Sequence, residues 1–535
     1  MKRRTWMQLT AMGVGAMAGR TAMARAMGGP PTTSSPSSPS AGDLRVMLDG
    51  LAHGRLSSVA LVRQAEQRIA QLDRQGPRIN AVIELNPDAH AIAQQLDAER
   101  KQGKLRGPLH GVPILLKDNI ATGDRMLTTA GSLALAKHPA AADAFIAARL
   151  REAGLVILGK TNLSEWANFR STRSLSGWSG RGGLTRNPYV LDRNTSGSSS
   201  GSAAAVAADY VPLAVGTETD GSIVSPAQLC GLVGLKPTLG LVSRHGIIPL
   251  AESQDTAGPM TRTVRDAALL LQVLAGQDPA DPVTLKAPPA PDYVAGLRPD
   301  GLKGARLGVV RAQFGTHPEV MAAVDRALAV MAQQGAVIID PVTLPDPATY
   351  ADAETLVLLH EIKDNMARWL AEFAPRSGFT SLADLAAWNT QHAAKELVFF
   401  GQELFDKALL TQGLQAPEYL EARAKCLKLA RVEGIEKTLA EHRLDALIAP
   451  TGAPAWVNDF VNGDNSGFSF STAAAVAGLP HLTVPCGLVR ELPVGVSFVG
   501  AAWSEATLLR LGYAYEQASQ ARRAPRYLPT LALPG

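Results

Sequence analysis

Short, continuous apolar runs recur through the chain: VPILL at 112–116, LVILG at 155–159, PLAVG at 212–216, RLGVV at 306–310 and AVIID at 336–340. DALIAP, HLTVPCG and VGVSFVG follow later. Runs of this length without polar alternation read as strands buried on both faces. Amphipathic stretches such as 142–153 and 262–275 lie between them. This alternation restricts the chain to one large α/β domain, in which helices cover a mixed central sheet. With 535 residues, 46% of them apolar, there is ample material for such a core. No internal repeat is evident.

The domain so defined spans residues 44–535. From Leu44 to about Lys104, the spacing of Val59, Val62, Ala65, Ile69 and Leu72 predicts two helices separated by INAVIEL. Between about 350 and 435 the strand runs vanish and a helical insertion carries Trp369, Phe373, Trp388, Phe399, Phe400, Phe405 and Tyr419. Aromatics at such spacing are core residues first, and the insertion is also the best candidate for a specificity cap.

Residues 1–27 have a different texture. Lys2, Arg3, Arg4, Arg20 and Arg25 stand there without any acid, before and around a short apolar run and an A-x-A pair at Ala22 and Ala24. This is the pattern of an export signal, and the Arg3-Arg4 pair makes it twin-arginine-like. Residues 28–43, rich in proline and serine, read as a tether. The expected location is periplasmic or secreted. The formal charge of +4 resides in the signal, since without it the balance is −1, so nucleic acid is not an expected partner. The signal's apolar run is too short to span a bilayer and no other stretch of 18 apolar residues occurs, so stable membrane association is not expected. Cys230, Cys426 and Cys486 form no paired motif, and the histidines form no metal-binding pattern. No metal and no cofactor are expected, and a monomer is favoured.

Chemistry concentrates around NTSGSSSGSAAAVAAD, which begins at Asn194, and GTETDGSIVSPA, which begins at Gly216. Gly/Ser linkers are polar on both flanks, whereas this tract runs into a strong helix start shortly before the strand PLAVG. A glycine-rich loop opening a helix can present N–H groups to a phosphate, but the tract is neither G-x-x-x-x-G-K-[ST] nor G-x-G-x-x-G, which leaves nucleotide binding open with only weak support. Nucleophilic catalysis needs a hydroxyl on a tight turn, a base and oxyanion donors. Ser222, after Gly221 and a strand exit, suits the first requirement. There is no G-x-S-x-G elbow and no histidine partner at a telling distance, so another base is needed. Lys117 closes the apolar strand in GVPILLKDNI, and a lysine acts as a base when desolvation leaves it neutral.

Taken together, LHGVPILLKDNI, SGSSSGSAAAVAA, GTETDGSIVSPAQLCGLVGLKPT and QDTAGPMTRTVRDAA resemble the amidase signature family in order and spacing. INAVI, DALIAPT, AGLPHLTVPCG and LPVGVSFVG extend the resemblance beyond a signature core at about 110–270. The resemblance implies an α/β/α sandwich and a Ser-cisSer-Lys triad made of Lys117, the bridging Ser198 and the nucleophile Ser222. It implies an acyl-enzyme, release of ammonia, and an oxyanion held by backbone N–H groups around Thr219, Asp220, Gly221 and Ser222. Ser199 would support the loop, and a cis peptide would adjoin Ser198.

The usual GGSSGGS reads SGSSSGS here, and GGSIR reads DGSIV, so Asp220 and Val224 bear on substrate preference. TETDGSIVSP, SEWANFRS at 164–171 and SGWSGRGGLTRNPY at 176–189 look most like the peptide amidase branch, which hydrolyses C-terminal carboxamides. Trp166 and Trp178 would either wall the cleft or pack internally. The expected partner is a peptide amide or another small amide. The alternatives are a broad small-molecule amidase, the glutamine-using subunit of an amidotransferase, and a non-catalytic exported anion-binding protein.

Overall fold

The computed structural model describes residues 42–532. The expected export signal, and the tether up to residue 41, lie outside the described residues. The strands begin with β1 (Val82–Leu85), β2 (Pro113–Lys117) and β3 (Val156–Thr161). A small ribbon follows, made of β4 (Trp178–Ser179) and β5 (Gly183–Leu184). Next come β6 (Leu213–Glu218), β7 (Val233–Lys236) and β8 (Thr256–Thr261). The last are β9 (Arg306–Val309), β10 (Val337–Ile339), β11 (Ala446–Pro450), β12 (His481–Val489) and β13 (Leu492–Val499).

All but the ribbon form one eleven-stranded sheet in the order β1-β3-β2-β6-β8-β7-β12-β13-β11-β9-β10. The pairs β3–β2, β2–β6, β11–β9 and β9–β10 are parallel and the rest antiparallel, so the sheet is mixed, as the apolar runs require. Alternate residues feed opposite faces. Ile114, Leu116, Leu213 and Val215 join one hydrophobic cluster, while Leu115 and Ala214 join another with Val62, Ala93 and Ala203–Ala207. Helices Ser58–Arg68, Ala89–Lys101 and Ser200–Ala207 cover the second face. Helices Leu44–Ala52, Phe145–Glu152, Val264–Leu274 and Glu505–Ser519 cover the first, which completes three layers.

The N-terminal region differs from the two-helix expectation. It holds three helices, because the Ser57 side chain accepts the Ala60 N–H and so caps a new helix after Leu44–Ala52 has ended. INAVIEL is not a mere separator but supplies β1, whose Val82 pairs with Thr161 at the sheet edge. From Ala351 to His442 no strand occurs among the described residues, and the long helix Ala351–Phe373 leads the helical insertion. Trp369, Phe373, Phe400, Phe405 and Tyr419 are buried, Trp388 is half-buried, and Phe399 is 40% exposed. No helix among the described residues is long and apolar enough to cross a membrane.

Candidate active site

β2 and β6 lie side by side and parallel, so their carboxyl ends open onto one crevice, where open α/β sheets place their ligands. Lys117 is the last residue of β2 and is fully buried. Its Nζ lies 2.7 Å from Ser198 Oγ, 2.8 Å from Thr217 Oγ1 and 3.2 Å from Thr217 O. Burial pushes the amine down from 10.5 to about 7, against the opposing pull of the Asp255 and Glu218 carboxyls.

The serine tract is folded over the end of β6 rather than left free as a linker. Asn194 is held by Trp456 O at its N–H, and by Ser176 O and Asn458 Oδ1 at its side chain. Ser196 takes a left-handed φ of +59°, and its hydroxyl lies 2.7 Å from Ser225 Oγ. The Gly197–Ser198 peptide bond is cis. Ser198 O accepts from Ser164 N–H at 3.0 Å. Ser199 Oγ donates to Thr217 O at 3.0 Å and accepts from Thr217 N–H at 3.2 Å, while its own N–H reaches Ser222 O at 3.2 Å.

Helix Ser200–Ala207 then runs with every residue buried. Ser202 Oγ donates to Val215 O at 3.1 Å, binding the helix to the sheet. A Cβ on Gly201 would stand 2.3 Å from Ala81 O and 2.5 Å from Asn162 O, so only glycine fits beneath these carbonyls.

Ser222 sits on the turn after β6, where Gly221 takes a φ of +77°. The turn is clamped from below. Glu218 Oε2 accepts both the Ile223 N–H at 2.7 Å and the Val224 N–H at 3.0 Å. The N–H groups of Thr219, Asp220, Gly221 and Ser222 find no acceptor among the described residues, which leaves them available to an oxyanion. Among the same residues Ser222 Oγ has no hydrogen-bond partner. The Ser199 N–H to Ser222 O bond ties the two turns together, while Lys117 Nζ reaches Ser198 Oγ and no side-chain bond continues from there to Ser222 Oγ among the described residues. Catalytic contacts commonly tighten when substrate arrives.

Thr217, Glu218 and Asp255 contribute to this geometry without having stood out in the sequence. All three lie inside the quoted GTETDGS and QDTAG motifs, but their tasks follow from strand ends that only the fold brings together. Thr217 also accepts from Asn119 Nδ2 at 2.9 Å. Asp255 accepts Thr219 Oγ1 at 2.5 Å and the Leu250 and Ala251 N–H groups at 2.8 and 2.9 Å. Asp220 Oδ2 accepts from Thr472 Oγ1 at 2.7 Å, and Val224 is buried at the start of helix Val224–Leu229.

Trp166 and Trp178 pack internally. Trp166 meets Phe405 edge-on at 5.7 Å, and Trp178 meets Phe399 and Phe400 at 5.4 and 5.3 Å. Beside them Arg170 is fully buried, 3.2 Å from Glu165 and over the Phe400 ring, with a 2.7 Å bond to Glu396 O. This cluster ties the helical insertion to the segment that holds Ser198. No group of residues suited to a metal ion occurs among the described residues.

The family model Amidase matches residues 60–509. A native peptide amidase from Stenotrophomonas maltophilia superposes with a TM-score of 0.87 at 51% identity, covering 91% of this chain and 98% of that one. A probable amidase of Arabidopsis thaliana is 40% identical over 91% of each chain. A glutamyl-tRNA(Gln) amidotransferase subunit of Symbiobacterium thermophilum is 38% identical over 88% of this chain and 95% of its own. With most of its length matched in family, sequence and fold, the chain belongs to the amidase signature family and is an amide hydrolase.

Proposed function

We propose that this enzyme hydrolyses primary carboxamides to acid and ammonia, favouring the C-terminal amide of peptides, with Lys117, Ser198 and Ser222 as its catalytic residues. The observation that carries the reading is the buried Lys117 amine, 2.7 Å from Ser198 Oγ and held near neutrality by desolvation. Substrate brings Ser222 Oγ toward Ser198. Ser222 gives its proton to Ser198 as Ser198 gives its own to Lys117, and the freed alkoxide attacks the amide carbon. The N–H groups of the Thr219–Ser222 loop hold the developing oxyanion, with Ser199 keeping the loop in register through Ser222 O. The proton returns through Ser198 to the departing nitrogen, ammonia leaves, and water hydrolyses the acyl-enzyme by the same relay.

Preference for peptide amides is supported by 51% identity to a peptide amidase over most of both chains. The 38% identity to an amidotransferase subunit favours a second reading, glutamine as ammonia donor. The export signal expected over residues 1–27 stands against it, since tRNA-linked chemistry belongs inside the cell. Ammonia release from amidated peptides, simple amides and glutamine separates these readings. Peptide amides should turn over fastest, Ser222→Ala should be inactive, and a fluorophosphonate should label wild-type Ser222. Full activity in Ser222→Ala would overturn the assignment.

A further inference from the structure

Besides the Arg170 cluster, a second buried seam brings the helical insertion to the reaction centre. Glu354 and Glu361 lie two turns apart on one face of the long helix Ala351–Phe373, and they grip consecutive residues of the turn leading into β8. Glu361 Oε2 accepts from Ser253 N–H at 2.9 Å, and its Oε1 accepts from the Tyr419 hydroxyl at 2.8 Å. Glu354 Oε1 accepts from Gln254 Nε2 at 2.9 Å, and the same amide nitrogen donates to Thr219 O at 3.2 Å. Thr219 is therefore held twice, at its carbonyl by Gln254 and at its hydroxyl by Asp255. Asp220 follows, anchored at Oδ2 by Thr472, while its Oδ1 is buried with no partner among the described residues.

Charge makes this seam conditional. Burial, and then the Asp220 carboxyl, push Glu354 up to about 8, and Asp220 is itself raised by burial. Tyr350 from the start of the long helix and Cys426 from helix Pro417–Cys426 face Glu354, and burial raises both above their ordinary range, so neither is charged at neutral pH. Glu218 on β6 and Lys236 on β7 face Asp220 from the sheet side, and Lys236 is itself pushed down to about 8 by burial.

The geometry points to Glu354 as a positioning residue: its carboxyl seats the helical insertion on Gln254, and so fixes the Thr219–Ser222 loop that would receive the oxyanion. The inference rests on the reading of Ser222 as nucleophile. Ionisation of Glu354 sets its charge against the Asp220 carboxyl inside the buried seam, an arrangement that burial and the neighbouring acid both oppose. The loop then loses its support and kcat falls. Turnover should rise with pH as Lys117 becomes neutral, through about 7, and fall as Glu354 ionises, through about 8.

The test is kcat and KM for an amidated dipeptide from about pH 6 to about pH 10, in wild type, Glu354→Ala and Glu354→Gln, with circular dichroism melts to check folding. Glu354→Ala should lower kcat roughly tenfold or more while KM moves by less than about twofold, because misplacement of the loop affects the transition state more than ground-state binding. Glu354→Gln, neutral and of the same size, should recover most of that loss and abolish the alkaline fall. Persistence of the fall in Glu354→Gln, or wild-type kcat in Glu354→Ala, overturns the inference. Should Glu354→Ala fail to fold, the Glu354→Gln profile alone decides. Activity surviving in Ser222→Ala would instead fault the nucleophile assignment, so the two failures are distinguishable.

Discussion

Replacing Lys117 by methionine should yield an inactive protein that is more stable than wild type at neutral pH. The amine is wholly buried at the end of β2, and its pKa falls from 10.5 to about 7 on folding. At about 1.4 kcal/mol per pH unit, that difference opposes folding by about 4 kcal/mol at pH 7, where the folded amine is half protonated. Methionine removes this term while filling much the same space. The change also removes hydrogen bonds, but Thr217 keeps Asn119 on its hydroxyl and Ser199 on its carbonyl. Only Ser198 Oγ is left without its partner, a loss of about 1–3 kcal/mol. The net gain is therefore about 1–3 kcal/mol at pH 7.

Its sign with pH is fixed. Between the folded value of about 7 and the unfolded value of 10.5, the unfolded chain binds more protons, so wild-type stability climbs with pH across that window. The variant's advantage is thus greatest at or below pH 7 and should shrink by roughly 2 kcal/mol by pH 9. Urea unfolding followed by tryptophan fluorescence at both pH values measures it. Lys160 and Lys236 are also buried and pushed down to about 8, but both proteins share them and the difference cancels their effect. A variant less stable than wild type at pH 7, or an advantage indifferent to pH, would refute the reasoning.

Three further changes probe other parts of the site. Glu218→Gln removes a carboxyl that raises the Lys117 pKa, so the acid limb of kcat/KM should move to lower pH, and a move upward would contradict the electrostatics. Because a neutral oxygen then receives the Ile223 and Val224 N–H groups, kcat should drop about tenfold in the same assay. Gly201→Ala drives a methyl group into Ala81 O and Asn162 O, so expression should give little soluble protein, a result readable by size-exclusion chromatography. Arg170→Ala removes the bond to Glu396 O and the contact over the Phe400 ring and leaves a buried void, so unfolding free energy in urea should fall by about 2–4 kcal/mol, with the insertion the first part to become protease-sensitive.

Where the sequence spoke clearly, one physical rule dominated. Apolar runs such as VPILL read as buried strands, although AVIID became the edge strand β10 with Val337 45% exposed, and Lys117 stood out because a cation closes one of these runs. The serine tract declared itself by leading into AAAVAA, which became helix Ser200–Ala207. β7 and β8 were less legible, since GLVGLKPT and DTAGPMT carry glycine and proline that mask the strand pattern until their partners are known. The edge strand β1 was hidden for a related reason: its period was overshadowed by the helices on either side. Glu354, Gln254 and Asp255 could not be read at all as neighbours of Thr219. Their meeting depends on how an insertion of helices docks on a distant turn, which no local periodicity encodes.

Helix Ser200–Ala207 has no face turned to solvent, and that shapes how such an enzyme diversifies. Mutational drift works mostly on surfaces, where single changes are nearly neutral, and here it finds no foothold on the element that directly follows Ser198. Exposed loops and the outer faces of the insertion's helices tolerate such changes better. A chain built on this plan has room for substitution at its periphery, whereas beside Ser198 nearly every change of side-chain volume is felt by packed neighbours.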